Sequence, residues 1–107
     1  MKGNRTMYRG KRLFLDDTRD IPDGFDGCRD IRSAKLALTT QEYDYISLDY
    51  SLDDGTGLDI VEWMLHNGIY VPHINIHSSN ILGRERMKDL CEAAFTDSHI
   101  TMNMLPK

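Results

Sequence analysis

Residues 43–67 read YDYISLDYSLDDGTGLDIVEWMLHN. Residues 43–49 form a short run of apolar and aromatic residues closing on Asp49, the pattern of a buried strand. Residues 50–57 form an acidic, glycine-containing loop. Thr56 followed by Asp59 is a capping pattern, in which a hydroxyl and a carboxylate each accept an amide at a helix start. The spacing predicts a helix over 57–67, with Leu58, Val61 and Leu65 on its buried stripe and Asn67-Gly68 ending it. Strand, polar loop and capped helix in that order are one step of a parallel α/β sheet.

The same grammar extends in both directions. Residues 12–16 (RLFLD) predict a first strand. Residues 17–27 carry no helical pattern, and Ile21-Pro22-Asp23-Gly24 marks a turn. A weaker strand is expected around 25–31, then a helix over 34–41 capped by Ser33, with Ala34, Ala37 and Leu38 on one face. Beyond Pro72, residues 73–77 (HINIH) predict a fourth strand, 78–83 a loop, and 84–95 a helix striped by Met87, Leu90, Cys91 and Ala94. An edge strand is expected at 99–104. Strands alternating with helices imply right-handed crossovers.

In such a sheet, ligands bind beyond the carboxyl ends of the strands. Three strands here end in polar cargo: Asp16-Asp17, Asp49, and His77-Ser78 followed by Asn80. Three carboxylates gathered there repel one another unless a hard cation sits between them, so Asp16, Asp17 and Asp49 are candidate ligands for Mg²⁺ or Mn²⁺. The bland alternative is two loop-capping acids and a turn acid. His77 is a candidate acid or base because imidazole titrates near neutrality; a structural hydrogen bond is the competing reading. Ser78, Asn80 and the amides near Gly83, at a helix start, are candidates to hold a phosphate, although capping by Ser79 or Asn80 fits the same spacing. Arg19 can neutralise the acids or fork onto a phosphate. Asp53 and Asp54 read as solvated loop acids.

At 107 residues the chain predicts one domain, over 11–107, preceded by a flexible basic arm at 1–10. Net charge is −4. The first twelve residues hold Lys2, Arg5, Arg9, Lys11 and Arg12 and no acid, which leaves 8 bases against 17 acids in the rest. The arm reads as a solvated terminus or as a contact for nucleic-acid phosphates. Cys28 and Cys91 lack metal-ligand spacing and predict half-buried free thiols. No run is long enough to span a bilayer and no leader pattern opens the chain, so a cytoplasmic location is expected.

The acidic pair Asp16-Asp17, Asp49 and Ser78 together resemble the acidic pair, phosphoacceptor and hydroxyl residue of response-regulator receiver domains. The receiver lysine has no counterpart beyond Lys107, and a loop stands in place of the first helix. Over residues 11–95 the chain more closely resembles the cyclic-phosphate processing receiver domains, found in bacteria and their phages. DDTR at 16–19 is similar to that family's DDxR, LDYSLDDGTGLD at 48–59 to its LDxDL…GxD, and HSSNILGRERM at 77–87 to its HSxNxxGxxxM. Tyr50-Ser51 stands where the family has His-Asp. The resemblance implies a three-layer, flavodoxin-like parallel sheet, truncated, with the first helix replaced by a loop. It further implies metal-dependent phosphoesterase chemistry on a cyclic phosphate, at an RNA end or on a cyclic nucleotide. In that reading Asp16, Asp17 and Asp49 hold the metal, His77 and Asp49 are catalytic, and Ser78, Asn80, Gly83 and Arg19 hold the phosphate. The rival is a non-catalytic module that binds a protein partner through a surface near Trp63 and Tyr70. A third reading is cyclic-nucleotide binding without turnover.

Overall fold

The computed structural model describes residues 10–103. Most of the expected basic arm, and Lys107, lie outside them. The elements are β1 (Arg12–Leu15), β2 (Asp26–Cys28), α1 (Ile31–Thr40), β3 (Tyr45–Leu48), β4 (Ser51–Leu52), β5 (Gly55–Thr56), α2 (Gly57–His66), β6 (His73–His77), α3 (Ile81–Ala94) and β7 (His99–Asn103). Five strands form one parallel sheet in the order β2-β1-β3-β6-β7. This is a receiver-like strand order. Its order reverses at β1, so a crevice opens between the ends of β1 and β3.

As expected, a loop joins β1 to β2. Phe25 N donates to the Pro22 carbonyl at 3.2 Å, and Gly24 takes φ 86°, which closes the turn. The loop also decides the layering. The steps β2 to β3, β3 to β6 and β6 to β7 all cross the sheet in one direction. Right-handed crossovers therefore put α1, α2 and α3 on one face. Only the step from β1 to β2 runs the other way, and it carries no helix. Two of the expected three layers are present among the described residues.

Strand alternation follows from this layering. Leu13, Leu15, Ile46, Leu48, Ile74 and Ile76 point to the helices and are completely buried, and they share one core with Ile60, Val61, Met64, Met87 and Cys91. Each such aliphatic side chain contributes about 1.5–3 kcal/mol. Phe14, Ser47, Asn75 and His77 alternate to the opposite face. They are buried too, but lie outside the helix-side core.

The helices differ from expectation in detail. Asp30, not Ser33, caps α1, accepting the Ser33 amide at 2.8 Å, and the helix begins at Ile31. Asp54, exposed as expected, also reaches across from the β4–β5 turn to accept the Ile31 amide at 2.6 Å and so closes a helix end. The expected open loop at 50–57 contains the antiparallel pair β4–β5. The Thr56–Asp59 capping box is present. The buried stripe of α2 is Ile60, Val61 and Met64, and Leu65 points outward at 44% exposure. Helix α3 starts three residues early, capped by Asn80. Both cysteines are free and buried, and burial pushes the Cys91 thiol up to about 12.

Candidate functional site

The β-ladder carries three polar groups to one place. Asp16 N donates to the Cys28 carbonyl at 3.1 Å and Asp49 N to the Leu15 carbonyl at 2.9 Å, so both acids are fixed just past the ends of β1 and β3. His77 closes β6. Ligand atoms of Asp16, Asp49 and His77 all lie within 4.8 Å of one another, and all three residues are buried.

Asp16 is held on both oxygens. Oδ1 accepts the Thr18 and Arg19 amides, each at 2.9 Å. Oδ2 accepts from His77 Nε2 at 2.9 Å and faces Arg19 Nε at 3.3 Å. Burial pushes its pKa up, but the Arg19 and Thr18 amides and His77 outweigh it and hold the carboxyl below the usual range. Arg29 donates to the Asp16 carbonyl at 3.1 Å and to the Arg19 carbonyl, tying down the 16–19 turn.

Asp49 is shifted the other way. Burial raises its pKa, the Ser78 hydroxyl opposes this, and the neighbouring Asp16 raises it further. Two carboxylates therefore share one small space with opposite perturbations, a pattern common where function needs it. The His77 ring is completely buried and stacks on Phe14, with centroids 4.6 Å apart and planes within 8°. Burial depresses its pKa against the pull of Asp16, favouring neutral imidazole. Its Nδ1 meets Ser47 Oγ at 2.6 Å, so both ring nitrogens are engaged by the protein.

Ser78 is buried beside Asp49 and accepts the Asn80 amide at 3.1 Å. Its carbonyl accepts from Arg84, whose buried guanidinium fixes the strand end at 3.2 Å. Asn80 Oδ1 takes the Gly83 amide at 2.9 Å, which is the capping alternative weighed from the sequence. Gly83 also makes room for the Tyr50 ring: a Cβ there would lie 2.3 Å from Tyr50 Cγ. The structure thus gathers Asp16, Asp49, His77, Ser78 and Arg19. Asn80 and Gly83 satisfy each other one step away. Asp17 is half-buried and outside the 4.8 Å cluster.

Ser47, Asn75, Arg29 and Arg84 did not stand out in the sequence. The first two had a signal: they fall in phase with Asp49 and His77 at the period of two that shares a sheet face. A cavity of about 450 Å³ opens at the opposite, amino-terminal end of the strands, lined in part by Leu38, Tyr43, Asp44, Tyr70 and Pro72. It touches none of the groups above.

Sheet order, switch-point crevice and acidic centre together define a receiver-like domain. The family model of the cyclic-phosphate processing receiver domain matches residues 11–93, and the chain belongs to that family. No curated protein matches the chain. Among the described residues, no helix is long and apolar enough to cross a membrane.

Proposed function

We propose that the centre opens or removes a cyclic phosphate, on an RNA end or a cyclic nucleotide, with the help of a divalent cation. The observation that carries this reading is the convergence of buried Asp16 and Asp49 in one crevice beside Ser78 and Arg19. The donor chemistry fits a hard ion such as Mg²⁺ or Mn²⁺: two carboxylates and no thiol, with Asp49 raised first by burial and then by the charge of Asp16, both of which a cation relieves. Asp16 and Asp49 would hold it, with Asp17 the nearest further acid in the chain. His77 does not fit as a ligand while its Nε2 serves Asp16. A bound ion would supply positive charge to a phosphoryl oxygen and acidify water.

The chain's own groups supply the rest. Arg19, half-exposed at the rim, can turn its fork from Asp16 to a phosphate. The Ser78 hydroxyl lies beside Asp49 and can donate to a phosphoryl oxygen. His77 acts by orienting Asp16; direct proton transfer from Nε2 would first require that bond to break. In ring opening, water oxygen bonds to phosphorus, one ring P–O bond breaks, and the proton released from water ends on the departing sugar oxygen. Phosphate-product analysis with 2′,3′-cyclic-phosphate RNA and a panel of cyclic nucleotides tests this, with Mg²⁺, with Mn²⁺ and with chelator. Metal-dependent ring opening by the wild type that is lost in Asp49→Asn supports it; no turnover of any substrate contradicts it.

A second reading, a protein-interaction module, has one observation in its favour. Tyr70, 54% exposed, lines the cavity at the far end of the sheet, away from the acids. In that case surface changes at Tyr70 impair partner binding and Asp49→Asn does not.

A further inference from the structure

A line of hydrogen bonds runs from Asp16 across the helix-free face. His73 Nε2 meets Thr101 Oγ1 at 2.8 Å; Thr101 Oγ1 donates to Asn75 Oδ1 at 2.6 Å; Asn75 Nδ2 donates to Ser47 Oγ at 3.2 Å; Ser47 Oγ meets His77 Nδ1 at 2.6 Å; His77 Nε2 meets Asp16 Oδ2 at 2.9 Å. Proton counting fixes its polarity. A hydroxyl has one hydrogen. Thr101 spends its hydrogen on Asn75, so it accepts from His73. Asp16 as a carboxylate can only accept, so His77, held neutral by burial, carries its one proton on Nε2 and donates it there. Its bare Nδ1 can then only accept, so the Ser47 hydroxyl, itself accepting from Asn75, points its hydrogen at His77. Every donor points toward Asp16, an arrangement in which each bond polarises the next.

We propose that Ser47 is a positioning residue: its hydroxyl, aimed by Asn75 and Thr101, locks the His77 ring so that Nε2–H holds Asp16 as an oriented anion facing Asp49. The proposal rests on reading Asp16 and Asp49 as the cation-holding centre. Its geometry is that of outer partners that orient a ligand, whose loss typically weakens metal binding about 10–100-fold. Ser47 touches neither substrate nor ion in this scheme. It acts through two intervening bonds, and nothing else on the helix-free face is aimed at His77 Nδ1 among the described residues.

The test combines ¹⁵N NMR of the histidine side chains with Mn²⁺ titration by EPR, on wild type, Ser47→Ala, Ser47→Thr and Thr101→Val. The expected wild-type signature is a His77 Nδ1 resonance displaced by an accepted hydrogen bond and a protected Nε2–H. Ser47→Ala moves Nδ1 to the unbonded position and weakens Mn²⁺ binding about tenfold; Ser47→Thr restores both. Thr101→Val, near-isosteric and half-buried, removes the donor two bonds upstream and moves Nδ1 in the same direction by less, which keeps the test open if Ser47→Ala fails to fold. A His77 signature and an Mn²⁺ affinity unchanged in Ser47→Ala and Thr101→Val overturn the proposal. Wild-type protein that binds no Mn²⁺ overturns the reading of the centre instead, and the His77 resonances then still decide whether Ser47 sets the ring.

Discussion

The Tyr50 ring occupies the space that a side chain at position 83 would need: a Cβ on Gly83 would lie 2.3 Å from Tyr50 Cγ. The contact joins the first residue after Asp49 to the first turn of α3, so it ties the segment after β3 to the one after β6 on one side of the crevice.

Gly83→Ala separates two opposed effects. Alanine in a helix gains about 1 kcal/mol over glycine. Forcing a methyl against a packed ring costs about 1–3 kcal/mol. Urea unfolding should show Gly83→Ala destabilising the wild type. In a Tyr50→Ala background the ring is gone and the same change should stabilise. The same sign in both backgrounds would show that the contact does not constrain position 83.

Asp49→Asn should raise stability at neutral pH while removing function. The folded-state pKa of Asp49 is raised, so its contribution is fully present below the unfolded value of 3.8 and is lost as pH rises through the folded value. At pH 7 the wild type carries a buried carboxylate penalty that asparagine lacks. The stability gain of the variant, measured by denaturant midpoint, should shrink as pH falls toward 4. A gain that is flat with pH would contradict this.

His77 and Asp16 shape the acid limb. The folded-state pKa of His77 is depressed, so its contribution is present above 6.5 and is lost as pH falls toward the folded value; His73 behaves alike. Asp16 is also depressed, so its contribution is present above 3.8 and is lost as pH falls through its folded value. Stability should therefore decline below pH 6.5 and again below 3.8. NMR titration should show His77 protonating below pH 6.5. Titration at or above that value would contradict the burial argument.

Asp30→Ala should cost about 1 kcal/mol, because it removes the cap of α1. Ser33→Ala should cost less, because the Ser33 amide that meets Asp30 is backbone and survives the change. Thermal unfolding of the two variants checks the order.

These cases show what the sequence could express. The strands and their polar ends were legible because runs such as RLFLD and YISLD join an apolar interior to a carboxylate that must find polar partners at the strand end. The loop in place of a first helix was legible from Pro22 and Gly24. Local competition was less so: Asp30 and Ser33 are both good caps, and only the path of the chain out of β2 chooses between them. Leu65 and Met64 are both apolar, and the twist of α2 against the sheet decides which is buried. The β4–β5 pair is too short to alternate visibly. Its Asp54 is the exposed acid that the sequence suggests, and its bond to the start of α1 arises only because the fold brings α1 alongside. At the centre, Asp16, Asp49 and His77 announced themselves by type and position. Ser47 and Asn75 did not, because a single polar residue within an apolar strand gains its role only from its neighbour across the sheet.

The central claim is that the Asp16–Asp49 centre turns over a cyclic phosphate, and ³¹P NMR of a 2′,3′-cyclic nucleotide incubated with protein and Mg²⁺ tests it most directly. The expected result is replacement of the cyclic-phosphate resonance by that of a phosphate monoester or free phosphate, abolished by chelator and by Asp49→Asn. A cyclic resonance that persists with folded wild-type protein and saturating Mg²⁺ would contradict it.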